Sequence, residues 1–292
     1  MPQSSPASRT WFITGASRGI GRALAIAALE RGDRVIAAAR SIRLDSFDAR
    51  HRERVLALAL DVTDRTAVFR AVDDAVARFG RLDIVVNNAG TMSMGMVEEF
   101  TEDQARAQFD VNVFGALWVT QAALPHLRRQ GSGHILQISS IAALGGFAST
   151  GLYSASKFAL EGMSEALAAE AASFGVTVTI VQPGGYWTDL YANMTSTTPS
   201  DAYAPLRAEL EKQWSEGSVD SDPQLAADAM LTLVDSDEPP LRLLLGSMTY
   251  DVAQYLSTQR VETWQRWEHV SRAAEHAISV EEVAPAVRDV AP

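Results

Sequence analysis

The 292-residue sequence predicts an α/β fold, a doubly wound parallel sheet of about seven strands with helices on both faces. Short apolar runs alternate with longer helical patterns along most of the chain. The runs are apolar almost without interruption, as in strands covered on both sides. No repeat of solenoid period and no low-complexity domain breaks the alternation.

Residues 11–14 (Trp-Phe-Ile-Thr) form the first strand, and residues 19–31, rich in small and apolar side chains, the first helix. Strands follow at 34–39 and 55–60, then a helix at 66–79 and a fourth strand at 82–86. A long helix spans 101–129, where Pro125 is expected to end or bend the last part. The fifth strand is 134–138, the Ala-rich helix 153–174, the sixth strand 176–181 and the seventh 241–245. Between the last two strands, residues 195–205 are polar with two prolines. Together with 206–214 they read as a mobile excursion, a lid at about 190–218. From 258 an amphipathic helix runs through Ala277, with Val261, Trp264 and Trp267 on one side, and the chain frays from about Glu281. The expected organisation is a flexible arm (1–9), one catalytic domain (10–258) and a helical extension with a tail (259–292).

The chain carries 25 Lys and Arg against 36 Asp and Glu, a formal charge of −11, which argues against a general nucleic-acid binder. It has no cysteine, which excludes disulfides, Cys-ligated zinc, iron–sulfur clusters and a thiol nucleophile. The five histidines show no pairing that suggests a metal site. No stretch approaches the roughly 20 apolar residues of a membrane span, and the polar N-terminus lacks a signal-peptide core, so a cytoplasmic location is expected.

The first strand runs into Thr14-Gly15-Ala16-Ser17-Arg18-Gly19-Ile20-Gly21 and then into a helix. Glycines let a backbone approach a pyrophosphate, and a helix N-terminus offers unpaired N–H groups to it. The second strand ends Ala37-Ala38-Ala39-Arg40, without the carboxylate that would hold a free ribose 2′-hydroxyl. Arg40 offers a fork of donors suited to a 2′-phosphate, and Arg18 approaches from the glycine loop. Tyr153 and Lys157 are four apart on one helix face, where an ammonium favours the phenolate and lowers a pKa that is ordinarily near ~10.

These motifs resemble the short-chain dehydrogenase/reductase family in its compact, single-domain form, with TGxxxGxG and YxxxK; the resemblance covers residues 10–246 and implies a Rossmann-like fold. It implies that Gly15, Ser17, Arg18, Gly19, Ile20 and Gly21 hold the cofactor phosphates, with Arg40 on the ribose and Asp61-Val62 on the adenine. Asn88, Ala89 and Gly90, of Asn87-Asn88-Ala89-Gly90, would stabilise the sheet and lie along the cofactor. Pro183, Gly184, Tyr186 and Thr188 match the P-G-x-x-x-T segment beside the nicotinamide carboxamide, with Tyr186 where an aliphatic residue is common. The implied catalytic set is Asn112, Ser140, Tyr153 and Lys157. Tyr153 supplies the proton and Ser140 orients the substrate oxygen; a gap of thirteen residues to the tyrosine selects Ser140 over Ser139. Lys157 tunes the phenol and holds the nicotinamide ribose, and Asn112 kinks its helix and holds a relay water.

The expected activity is hydride transfer between NADP(H) and a carbonyl or secondary alcohol. NAD(H) on the same fold and a non-catalytic dinucleotide sensor are the alternatives. Met92, Met94, Met96, Phe147, Tyr186, Trp187, Tyr191, Met194 and Trp214 point to an apolar substrate. The long helices at 101–129 and 153–174 suggest a homodimer or homotetramer.

Overall fold

The computed structural model describes residues 8–217 and 220–275. The chain runs β1 (Thr10–Thr14), α1 (Gly19–Glu30), β2 (Arg34–Ala39), β3 (Val55–Ala59), α2 (Arg65–Phe79), β4 (Ile84–Asn87) and a short β5 (Ser93–Met94). It continues through α3 (Glu102–Phe109), α4 (Ala116–Gln130), β6 (Gly133–Ile138), α5 (Gly151–Ala172) and β7 (Val176–Pro183). The last elements are β8 (Thr195–Ser196), α6 (Ala204–Gly217), α7 (Pro223–Val234), β9 (Arg242–Leu245), α8 (Ser247–Arg266) and α9 (Glu268–Ala273).

Seven strands form one sheet in the order β3-β2-β1-β4-β6-β7-β9, with every neighbouring pair parallel. This is the Rossmann-like architecture the alternation predicts. The order grows one way from β1 to β3 and the other way from β4, so a crevice opens between the ends of β1 and β4. Ligands bind at such a switch point in doubly wound sheets.

Strand side chains alternate between two cores. Trp11, Ile13, Val35 and Val86 pack on one side with Leu24, Leu29, Met230 and Leu233 from α1 and α7. Phe12, Ile36, Val85 and Ile135 pack on the other with Val68, Val119, Leu127 and Leu167 from α2, α4 and α5. Among the described residues, no helix is long and apolar enough to cross a membrane.

The structure departs from the sequence expectations in four places. The helix expected over 101–129 is interrupted at Asp110–Gly115, which forms a π-helical segment between α3 and α4. Pro125 neither ends nor replaces that break; it sits inside α4, which closes after Gln130 at the left-handed Gly131. The carbonyl that loses its partner belongs to the exposed Gln121, where water can satisfy it.

Helix α7 lies in a stretch to which the sequence reading gave no element. It is capped by Asp222, which accepts from Gln224 N at 2.9 Å, starts at Pro223 and buries Ala226, Ala227, Met230 and Leu233. The expected lid contains helix α6 and the strand β8, which pairs with β5; residues 218 and 219 of that range lie outside the described residues.

Ser8 and Arg9, expected in the flexible arm, are docked: Ser8 Oγ donates to the Gly32 carbonyl at 3.1 Å, and Arg9 N donates to Asp33 Oδ1 at 3.0 Å. Residues 1–7 lie outside the described residues. The chain divides into two compact units after Tyr250. In the second unit, α8 continues to Arg266 and α9 follows, with Val261, Trp264 and Trp267 exposed. The expected helix end at Ala277 and the fraying tail lie outside the described residues.

Candidate active site

The glycine loop leaves β1 at the switch point. Gly15 and Gly19 have φ of +66° and +55°, a region that favours glycine. A Cβ at Gly21 would lie 2.3 Å from Asn88 Nδ2 and 2.6 Å from the Gly15 carbonyl oxygen, so no larger residue fits there. Asn88 Nδ2 donates to the Thr14 carbonyl at 2.9 Å, while Thr14 Oγ1 accepts from Asn88 N and Ala89 N, each at 3.0 Å. The loop and the Asn87-to-Gly90 turn are thus tied together across the crevice. Asn87 Nδ2 holds Thr120 and Gln137, each at 3.0 Å, which stabilises the sheet behind it.

Helix α1 begins without a side-chain cap at Arg18, so its first-turn N–H groups remain available to an anion. Ser17 and Ile20 are half-buried in the loop. Arg18 and Arg40 are exposed, and neither side chain forms an ion pair or hydrogen bond among the described residues. Asp61 binds Thr63 N at 2.9 Å and Thr63 Oγ1 at 2.8 Å; the cap of α2 is Asp64, on Ala67 N. Val62 is buried beneath Gly115, where a Cβ would come within 2.6 Å of it.

Past β7, Gly184 packs against Thr249, and Thr188 lies against Gly19, its methyl 3.1 Å from where a Cβ would stand. Pro183 pairs in register with Leu245. Tyr186, expected among the bulky residues near the substrate, instead packs into the core cluster that holds Val181, Ala226 and Leu245, and its backbone bridges to Ser221. A cleft of about 300 Å³ opens beside the loop between Gly19, Arg22, Thr188 and Pro223. None of Ser140, Tyr153 and Lys157 lines it, so it is not where those groups meet.

Helix α5 carries Tyr153 and Lys157 on one buried face. Lys157 Nζ lies 5.7 Å from the Tyr153 ring centre and donates to the Ile138 carbonyl at 2.8 Å. Ser140, at the end of β6, hydrogen-bonds the Tyr153 phenol and accepts from Ala142 N at 3.1 Å. Ser139 turns the other way, its Oγ donating to Glu161 Oε1 at 2.5 Å. Burial pushes the Tyr153 phenol up to about 12, against the opposing effect of the Ser140 hydrogen bond and with a smaller upward push from Tyr191. The lysine was expected to lower that phenol; in this structure desolvation outweighs every favourable contact. Burial also pushes Lys157 down to about 8, with Glu161 opposing.

Asn112 sits in the π-helical segment, where its Oδ1 accepts from Thr91 N at 2.9 Å. Its Nδ2 donates to the Thr91 carbonyl and to Ser156 Oγ, each at 3.0 Å. The helix bulges where the amide would otherwise leave its three partners. Gly90 lies beside both Asn112 and Lys157.

Of the bulky residues expected near the substrate, Met92 forms an apolar cluster with Ala142 and Tyr153, packed by Met94 and Leu190. Met96 is buried, whereas Phe147, Trp187, Tyr191, Met194 and Trp214 are exposed.

Two residues escaped the sequence reading. Glu161 continues the four-residue spacing of Tyr153 and Lys157, a signal visible in the sequence. Glu99, its side chain 3% exposed, accepts from Ser200 N, Thr197 Oγ1 and Met96 N and pairs with Arg207, which fastens the excursion after β7. No local pattern marks a partner about a hundred residues away.

A family profile described as short chain dehydrogenase matches residues 9–199. Oxidoreductase BOA17 of Botryotinia fuckeliana is 40% identical over 272 residues, covering 91% of this chain and 99% of the relative. The crystal structure of a short-chain dehydrogenase from Streptomyces avermitilis is 40% identical with a TM-score of 0.85, covering 93% of this chain and 100% of that one. A short chain dehydrogenase from Burkholderia cenocepacia, solved in complex with NADP, is 29% identical with a TM-score of 0.70, covering 89% of this chain and 97% of that one.

Proposed function

The chain belongs to the short-chain dehydrogenase family of oxidoreductases, and from that premise we propose that it is an NADP(H)-linked enzyme acting on an apolar carbonyl or secondary alcohol. The observation that carries the reading is the cluster of Ser140, Tyr153 and Lys157 at the end of the β6 strand, in the same sheet whose switch point carries the glycine loop. Bound in the crevice, a nicotinamide dinucleotide supplies the hydride.

The residues present fit such a group. The left-handed glycines and the uncapped start of α1 suit its phosphates, with Ser17, Ile20 and Gly21 completing the loop. Asp61 and Val62 would hold its adenine, Asn88, Ala89 and Gly90 would lie along it, and Pro183, Gly184, Tyr186 and Thr188 would hold its nicotinamide. Arg18 and Arg40, both unpaired among the described residues, favour the 2′-phosphate, and the NADP-bound relative supports that preference. In the reductive direction the Tyr153 O–H gives its proton to the substrate oxygen as negative charge gathers there, and the Ser140 O–H donates a hydrogen bond to the same oxygen. Lys157 presents an ammonium beside the phenol, and Asn112 fixes the backbone at Thr91 next to it. Met92, Met94, Ala142 and Leu190 around Tyr153 suit an apolar substrate. The exposed Phe114 and Phe158, on the π-helical segment and α5, support a homodimer or homotetramer through this face, which sedimentation velocity would test.

Initial rates with NADPH and NADH over a panel of apolar ketones test the reading. NADPH preference that collapses in an Arg18→Ala, Arg40→Ala double variant is expected. A strong NADH preference overturns the cofactor assignment, and absence of turnover with normal dinucleotide binding favours a sensor.

A further inference from the structure

Three consecutive residues at the end of β6 are each held by a different one of three neighbouring turns of α5. Ile138 accepts from Lys157 at its carbonyl, Ser139 donates to Glu161, and Ser140 binds the Tyr153 phenol. Tyr153, Lys157 and Glu161 are four residues apart and stack along one helix face. All three are buried, with exposures of 7, 5 and 6%. The catalytic assignment above leaves Glu161 without a task, and a buried carboxylate is costly unless it is paired.

Its pairing is extensive. Glu161 Oε1 accepts from Ser139 Oγ at 2.5 Å and from Gln182 Nε2 of β7 at 2.8 Å, and Oε2 lies 3.5 Å from Arg242 Nε of β9. Arg242 also pairs with Glu165 on α5. The charged and titratable groups around this carboxylate are therefore Lys157, Tyr153 and Glu165 on its own helix and Arg242 from β9. Strands β6 and β7 contribute the neutral Ser139 and Gln182. The negative charge at Glu161 favours the protonated form of Lys157, against the burial that disfavours it.

We propose that Glu161 is a positioning residue for the reaction: through Ser139 it fixes Ser140 against Tyr153, and through its charge it keeps Lys157 an ammonium. The inference rests on the functional reading above for its kinetic consequence, but its electrostatic part concerns the protein alone.

The sequence provides a direct probe, because Lys157 and Lys212 are its only two lysines. Protein labelled with ¹³C at lysine Cε gives two resonances, and the exposed Lys212 serves as reference. In Glu161→Gln, whose side chain still accepts from Ser139, the Lys157 titration midpoint is expected to fall by about one pH unit. With NADPH and a reducible ketone, kcat is expected to fall about tenfold, with KM held within about twofold. Ser139→Ala removes the hydrogen bond and keeps the charge, so kcat drops about threefold or more while the midpoint stays.

A wild-type midpoint in Glu161→Gln overturns the proposal, as does wild-type kcat in that variant. If Glu161→Gln does not fold, Ser139→Ala decides, and wild-type kcat there overturns it. A wild-type enzyme that reduces no carbonyl sinks the functional reading, while the midpoint shift, measured without cofactor or substrate, still tests the electrostatic part. Wild-type turnover matched by Glu161→Gln in both readouts sinks this inference alone.

Discussion

Tyr153 is buried, its phenol held near 12 by desolvation, and its one hydrogen-bonding neighbour in the cluster is Ser140. A phenol in that state keeps its proton, which suits a group that donates it to a developing alkoxide. Tyr153→Phe removes the donor and little volume. We expect kcat to fall by about 10²–10³-fold with the fold intact and NADPH binding retained, measured by fluorescence titration beside steady-state rates.

Lys157 gives a second test, on stability. Its native value is about 8 against an ordinary 10.5, so the unfolded chain holds the proton more tightly between those values. Stability contributed by this group therefore rises as pH increases from 8 toward 10.5. Urea unfolding at pH 7, 8.5 and 9.5 should show that rise in the wild type and its absence in Lys157→Met. Parallel curves for the two proteins would contradict it.

At the scale of elements, one carboxylate gathers contacts from three places on the excursion after β7. Glu99, just after β5, takes four donors, three of them from residues 197, 200 and 207 and led by Arg207, and these contacts hold it down at about 2. The sign follows from a lowered carboxylate: the latch is fully present above the ordinary value of 4.5 and is lost as pH falls toward 2. Glu99→Gln is expected to speed limited proteolysis within residues 195–217 at neutral pH and to leave the rest of the domain resistant.

This latch also shows where sequence reading stops. The strands and the helices beneath them follow from local periodicity, the glycine loop and the Tyr153–Lys157 pair from spacing along one strand end or one helix turn, and Asn112 and Ser140 from the resemblance to the family. Glu99 with Arg207 and Glu161 with Arg242 depend on contacts between distant segments, which no local pattern encodes. Helix α7 was legible in principle, from Asp222 followed by Pro223, a cap and first-turn pair, and from the apolar Met230, Leu233 and Val234 beyond them. A kink at Asn112 is implied by the family resemblance, but its π-helical form was not legible, because it arises from Asn112 reaching Thr91 and Ser156 at once.

Over the whole molecule, the chemistry and the stabilising polar network lie at opposite ends of the sheet. At the start of β1 and β2, Asp33 accepts from Trp11 Nε1 at 2.8 Å, Arg9 N at 3.0 Å and Arg31 Nη2 at 2.6 Å. Arg9 and Arg31 in turn pair with Asp235, just past α7. The site gathers where those strands end. Asp33→Asn breaks a buried charge network and is expected to cost about 3 kcal/mol in chemical denaturation, while kcat and KM stay unchanged. A kinetic defect in the folded variant would show that the two ends of the sheet are coupled.

The scarcity of lysine has a practical corollary. Cations elsewhere on this chain are arginines, so an amine-reactive dye meets one exposed ε-amine, Lys212 on α6, while Lys157 is enclosed. Ordinary succinimide conjugation near neutral pH would thus mark Lys212 on the segment that Glu99 holds, placing a reporter on it without engineered thiols. The same reagent offers a gentle handle for surface attachment that spares the reacting groups.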